Sequence, residues 1–147
     1  DLGLLVVGFN KGGTVTLGDV AVTMVNAVHS STTRTENGLQ AMGSECGFMI
    51  EAEGRTIYVS GDTDVMADMA LFNDLHEPEI GILACGGHFT MDMRRAAYAA
   101  NKFFNFTTII PCHYRTFPIL EQSAQVLIDE VPSARVIEPE VMVPFTL

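Results

Sequence analysis

Four side chains able to bind a metal or move a proton recur in one context. His29, Asp62, His88 and His113 each follow an expected strand by a few residues. Strands that share a direction in one sheet would gather all four at one edge. Imidazole and carboxylate are the ligands that zinc and similar divalent ions prefer. A carboxylate can give one oxygen to each of two ions, so Asp62 suits a bridging place. Two ions roughly 3.5–4 Å apart activate water at neutral pH and polarise the bond under attack. Each residue alone has a plainer reading: a hydrogen-bonded loop histidine, or a turn or capping aspartate. Cys112 beside His113 does not suggest a thiol nucleophile, because neighbours on an extended segment point to opposite faces. His76 falls late in an expected helix, where a cation suits the dipole.

The elements that must position these residues can be read from pattern. Arg55 to Ser60 is a strand rich in residues that suit a buried pleated surface, and Gly61 turns it so that Asp62 lies at its carboxyl end. Open α/β sheets place their ligand sites there. Asp64 is expected to cap a helix running to His76, which Pro78 closes. Before this, Leu4 to Val7 reads as a short strand. Thr14 to Leu17 and Val20 to Asn26 form a hairpin about Gly18-Asp19, and Cys46 to Ala52 pairs with Arg55 to Ser60 about Glu53-Gly54. The polar stretch from Ser30 to Gly43 reads as a long loop beside the site. Ile80 to Ala84 is a buried strand leading into Cys85-Gly86-Gly87-His88. Asp92 to Phe104 is an alanine-rich helix. Thr107 to Ile110 is a strand that runs into Pro111-Cys112-His113-Tyr114. Leu120 to Val131 is a last helix, and Val136-Ile137 and Val141 to Val143 are closing strands. Strands come first, then alternation of strand and helix, which predicts an α/β layered architecture.

The totals set bounds. The 147 residues amount to one domain or a large part of one, with 48% hydrophobic and 18% charged residues. A formal charge of −10 argues against nucleic-acid binding and against anchoring on an anionic membrane. No apolar run has the length to span a bilayer, so no membrane insertion is expected. Cys46, Cys85 and Cys112 are an odd number and widely spaced, which suits a reduced, cytoplasmic protein. The chain starts at Asp1 and enters an apolar run at once, which reads as a cut end.

Four strings in order, Ala27-Val28-His29-Ser30-Ser31, Ser60-Gly61-Asp62-Thr63, Gly86-Gly87-His88-Phe89-Thr90-Met91-Asp92 and Ile110-Pro111-Cys112-His113-Tyr114, resemble the metallo-β-lactamase superfamily. Within it they look like the bacterial metal-dependent hydrolases related to ascorbate-6-phosphate lactonases and N-acyl-phosphatidylethanolamine phospholipase D enzymes. The likeness runs from about Asn10 to Pro118. It implies that His29, Asp62 and His113 are metal ligands, with Asp62 bridging, and that His88 contacts substrate or transition state. The superfamily's His-x-His-x-Asp-His string is not in this sequence. The resemblance therefore implies the carboxyl-terminal half of a four-layer αβ/βα sandwich, holding three ligands of a two-metal site that needs more.

The resulting expectation is a metal-dependent hydrolase of a phosphoester, lactone or amide. Two zinc ions are the first choice of cofactor, with manganese or iron as alternatives. His88 and Asp62 would carry the catalysis. The chain alone is expected to be inactive, and the amino-terminal half or a second copy is expected to cover an apolar sheet face. The rival is a non-catalytic half-domain that binds a partner chain; a weaker one is a small doubly wound ligand-binding domain without metal.

Overall fold

A computed structural model describes residues 3, 4 and 6–147. Its centre is a seven-stranded sheet built from β1 (Thr14–Leu17), β2 (Val20–Asn26), β5 (Cys46–Ala52), β6 (Arg55–Val59), β7 (Ile80–Ala84), β8 (Thr108–Cys112) and β9 (Arg135–Val136), in that spatial order. The first four strands pair antiparallel and the last four parallel. The change of direction at β6 follows from the connections. Two-residue turns join β1 to β2 and β5 to β6, whereas α1 (Asp68–His76) and α2 (Met93–Phe103) cross over between the later strands. The β5–β6 turn has Glu53 at φ 54° and Gly54 at φ 75°, the paired left-handed geometry of a two-residue hairpin.

One face of the sheet is covered by helices. Tyr58 of β6 is fully buried and packs on Phe72 of α1 at 5.9 Å and on Phe104, just beyond α2, at 5.2 Å. Leu83, Ile109, the α2 alanines 96, 97, 99 and 100, and Leu127 of α3 (Gln125–Glu130) complete this core. Small alanines let α2 lie close to the sheet, and Asp92 caps it by accepting from the Arg95 N–H at 2.7 Å. On the opposite face Val22, Met24, Phe48, Ile50, Ile57, Val59 and Ile82 remain half-buried. An apolar row that no helix covers is what one half of a layered sandwich presents.

Several expectations need correction. The stretch from Ser30 to Gly43 contains a second, two-stranded sheet, β3 (Thr32–Thr35) with β4 (Gly38–Ala41). Both of its faces are largely exposed, so it lacks the apolar alternation that marks a half-buried strand. The Asn37-Gly38 pair was its one local signal. Helix α1 starts at Asp68, not Asp64, and Ala67 stands at its N-cap without a side-chain bond. The carboxylate of Asp64 is committed elsewhere, as shown below. Helix α3 is shorter than 120–131 because the Gln122 amide donates to the carbonyls of Phe117 and Leu120, holding a non-helical loop. Val141 to Val143 forms no strand; Met142 sits in a turn at φ 66°. Of the expected first strand, Leu4, Val6 and Val7 have no regular structure and Leu5 lies outside the described residues.

Candidate metal centre

The carboxyl ends of β6, β7 and β8 all open on one edge, because these strands are parallel. Asp62 follows β6, His88 follows β7 and His113 follows β8. His29 follows β2, which runs antiparallel to β5, itself antiparallel to β6, so β2 ends on the same edge. Sheet direction thus brings the four expected residues to one side of the molecule.

Close backbone approaches set the first pair. Gly61 has φ 61°, and a Cβ there would overlap the Cys46 carbonyl oxygen. A Cβ on Gly86 would overlap the His113 carbonyl oxygen and stand 3.0 Å from His113 Nδ1. These two glycines let the Asp62 and His113 loops sit down on their neighbours. His113 is itself at φ 60°, a left-handed conformation uncommon outside glycine. The outcome is a His113 Nε2 to Asp62 Oδ2 distance of 3.6 Å, with both side chains partly exposed. That is long for a hydrogen bond. It is close to the ~3.4 Å between two tetrahedral ligands with bonds of about 2.1 Å to one ion. The Nδ1 of His113 is buried with no hydrogen-bond partner.

His29 is held differently. Its Nδ1 lies 2.8 Å from the Ser30 carbonyl and its Nε2 lies 2.9 Å from the Phe89 carbonyl. Both partners can only accept, so each contact favours hydrogen on the ring nitrogen that makes it. The Ser30 carbonyl bond is the largest reason that the His29 pKa is raised above its ordinary value. The Phe89 carbonyl and the charges of Asp62 and Glu45 add to it against some desolvation. A ring nitrogen that donates to a carbonyl has no lone pair free for a metal. In keeping with this, among the described residues no three His, Cys, Asp or Glu side chains form a group able to hold an ion. The structure therefore brings Asp62 and His113 together, with His29 near enough to feel the Asp62 charge but turned to backbone carbonyls.

His88 is exposed and faces its neighbour Phe89 edge-on at 4.6 Å. It lines an open cavity of about 700 Å³ together with Gly86, Gly87, Arg95 and Glu121. The Glu121 N–H donates to the Gly86 carbonyl at 2.9 Å, which fixes the far wall. Asp62, His29 and His113 do not line this cavity.

Sequence reading missed the ion pair beside it. Arg95 Nε donates to Asp64 Oδ1 at 2.8 Å and its Nη2 to Oδ2 at 2.6 Å, a bidentate pair that holds the start of α2 to the loop after β6. Thirty-one residues separate the partners, so no local pattern could reveal them. His76 accords with its expected place, in the last turn of α1 and 3.1 Å from Glu51. Cys85 and Cys112 have thiols pushed up by burial, to about 12 and about 11, so neither is an activated nucleophile.

A mixed sheet with helices on one face, and ligand-type residues at the carboxyl ends of its strands, is what one αβ half of a metallo-β-lactamase sandwich presents. The model of the family described as beta-lactamase superfamily domain matches residues 2–114, and the chain belongs to that family. It is 72% identical over 140 residues to a protein named metal-dependent hydrolase from Dinoroseobacter shibae, covering 95% of this chain and 61% of that protein. A second, from a Ruegeria species, is 65% identical over the same shares. Among solved structures, a metallo hydrolase from the archaeon Ignicoccus hospitalis superposes with a TM-score of 0.77 at 28% identity. That match covers 94% of this chain and 59% of the other. The metallo-beta-lactamase fold protein YhfI from Bacillus subtilis superposes at 0.65 with 15% identity, covering 89% and 51%, a likeness of fold. The chain thus spans about 61% of the length of the curated relatives it matches. No helix among the described residues is long and apolar enough to cross a membrane.

Proposed function

We propose that this chain is part of a metal-dependent hydrolase and supplies Asp62, His113 and His29 to a divalent-metal site. The approach of His113 Nε2 to Asp62 Oδ2 from two different strand ends carries the reading. The names of its curated relatives support the same class. The carboxylate and imidazole donors suit two zinc ions first, and manganese or iron next. Bound ions supply activation of water and polarisation of the scissile bond, in a phosphoester, lactone or amide.

The chain's own residues have separable tasks. Asp62 and His113 would hold the ion. His29 would join them with the ring nitrogen that now faces the Phe89 carbonyl, once that nitrogen gives up its hydrogen. His88, at the cavity, stabilises charge that develops on the substrate. The remaining ligands come from outside these 147 residues, in the amino-terminal half or a second copy packed on the half-buried face of Val22, Phe48, Ile57 and Ile82. The three free thiols suit a reducing, cytoplasmic setting.

Metal content of two variants of the intact protein tests this. Asp62→Ala should lose both metal and hydrolysis. His88→Ala should keep its metal and lose turnover. Equal metal loss in the two would make His88 a ligand and overturn the assignment. The non-catalytic rival, a half-domain that binds a partner chain, is favoured by the lack of a three-donor group among the described residues. It predicts no metal retention in the intact wild-type protein.

A further inference from the structure

We propose that Thr63 is a positioning residue that ties the loops of His29, Asp62 and His88 into one unit, an inference that rests on the metal-site reading above. Thr63 directly follows Asp62 and is fully buried. Its hydroxyl accepts the Val28 N–H at 2.9 Å and donates to the Asp64 carbonyl at 2.8 Å. The Asp64 N–H in turn donates to the Val28 carbonyl at 3.0 Å. Both polar groups of Val28, the residue before His29, are thus gripped by residues 63 and 64. The main-chain carbonyl of Thr63 accepts the Met91 N–H at 3.2 Å, and the Phe89 carbonyl two residues earlier holds His29 Nε2.

The loops joined in this way carry the residues of the candidate site, yet they come from positions 28, 63 and 91. Asp62 gains its place from Gly61 and the strand end, but nothing in β2 alone fixes where His29 stands relative to it. The Thr63 hydroxyl does part of that: it accepts from the Val28 N–H while its own hydrogen goes to the Asp64 carbonyl, and the Asp64 N–H bond to the Val28 carbonyl completes the grip. The bidentate Asp64–Arg95 pair holds the clasp to α2 from outside. Thr63 touches no reacting atom in this arrangement; it acts through the loops.

The test compares wild type, Thr63→Val and Thr63→Ser in the intact protein. Zinc affinity is read by competition with a chelator. Amide hydrogen exchange at Val28 and Met91 is read without metal. Thr63→Val should weaken zinc binding by about 10–100-fold, the usual effect of losing a group that orients ligands, and should speed exchange at Val28, whose acceptor it removes, while Met91, held by the main-chain carbonyl of residue 63, is the internal control. Thr63→Ser should restore both. A merely structural threonine would lower thermal stability while the folded fraction bound zinc as tightly as wild type, and that result overturns the proposal. So does a serine variant as weak as the valine one. Accelerated exchange in a protein whose wild type holds no zinc sinks the hydrolase reading and leaves the clasp. Unchanged exchange sinks the clasp whatever the zinc result. Should Thr63→Val not fold, Thr63→Cys takes its place: its weakly bonding thiol should give an intermediate loss, and wild-type values would refute the role.

Discussion

Gly86→Ala is the perturbation whose effect the coordinates fix most closely. The added Cβ would overlap the His113 carbonyl oxygen and meet His113 Nδ1 at 3.0 Å. Gly86 is buried and both neighbours are part of its packing, so the methyl cannot swing away. Overpacking of this kind costs about 1–3 kcal/mol. An unfolding entropy of about 2.1 cal/mol/K per residue over 147 residues makes each kcal/mol worth about 3 °C in Tm. The expected loss is therefore about 3–10 °C by calorimetry. Gly87→Ala is the control. Its Cβ would meet nothing nearer than Glu121 Cγ at 3.4 Å and Asp92 Cβ at 3.6 Å, but its φ of 87° costs an alanine about 1–2 kcal/mol. Both variants should melt early, and only Gly86→Ala should also weaken zinc binding, because only it pushes on the His113 ring. The expected weakening is about 10–100-fold. Equal zinc affinity in the two variants, with Gly86→Ala destabilised, would show that His113 is not held by Gly86. Wild-type Tm for Gly86→Ala would refute the packing argument itself.

Other expectations follow from single contacts. Arg95→Ala breaks an exposed bidentate pair with Asp64 and should cost about 0–1 kcal/mol in urea unfolding, less in high salt. A loss above 2 kcal/mol would mean that the pair is not exposed in solution. The raised pKa of His29 makes its folded form prefer the proton. Its contribution to stability is therefore fully present below the ordinary value of 6.5 and fades as pH rises through the higher folded value. Without metal, His29→Gln should narrow the stability difference between pH 5.5 and pH 8.5, and an unchanged difference would refute the carbonyl pairing. Zinc binding should tighten over the same rise in pH, since the ring must lose its proton to ligate. The half-buried apolar face predicts that these 147 residues alone associate, with a second copy or with added amino-terminal half. A stable monomer by light scattering at micromolar concentration would contradict that.

The fold was legible where burial imposes period. Strands β2, β5, β6, β7 and β8 combine β-branched residues with glycine-marked turns, and helix α2 follows its alanines and the Asp92 cap. Legibility failed where order comes from contacts distant in sequence. The β3–β4 hairpin has two exposed faces, so hydrophobic alternation said nothing. The start of α1 moved from Asp64 to Asp68 because Arg95 claims the Asp64 carboxylate, a partner that no local pattern contains. The end of α3 was set by the Gln122 side chain bonding two carbonyls in place of a helical turn.

The candidate site divides in the same way. That His29, Asp62 and His113 reach one edge follows from strand direction, which the sequence pattern carries. Their fine placement does not, because it depends on where each ring finds its hydrogen-bond partner. Asp62 and His113 have no better partner than each other and stay poised at 3.6 Å. His29 has two carbonyls within 2.9 Å and is turned to them. If zinc is held here as proposed, Asp62 and His113 would receive it with little rearrangement, and His29 would have to give up a ring hydrogen to join them. Proton release on zinc binding, counted by calorimetry in buffers of different ionisation enthalpy, should therefore exceed that of His29→Gln below pH 6.5. Equal release in the two would show that His29 was already free of its proton, and that the carbonyl pair does not hold it.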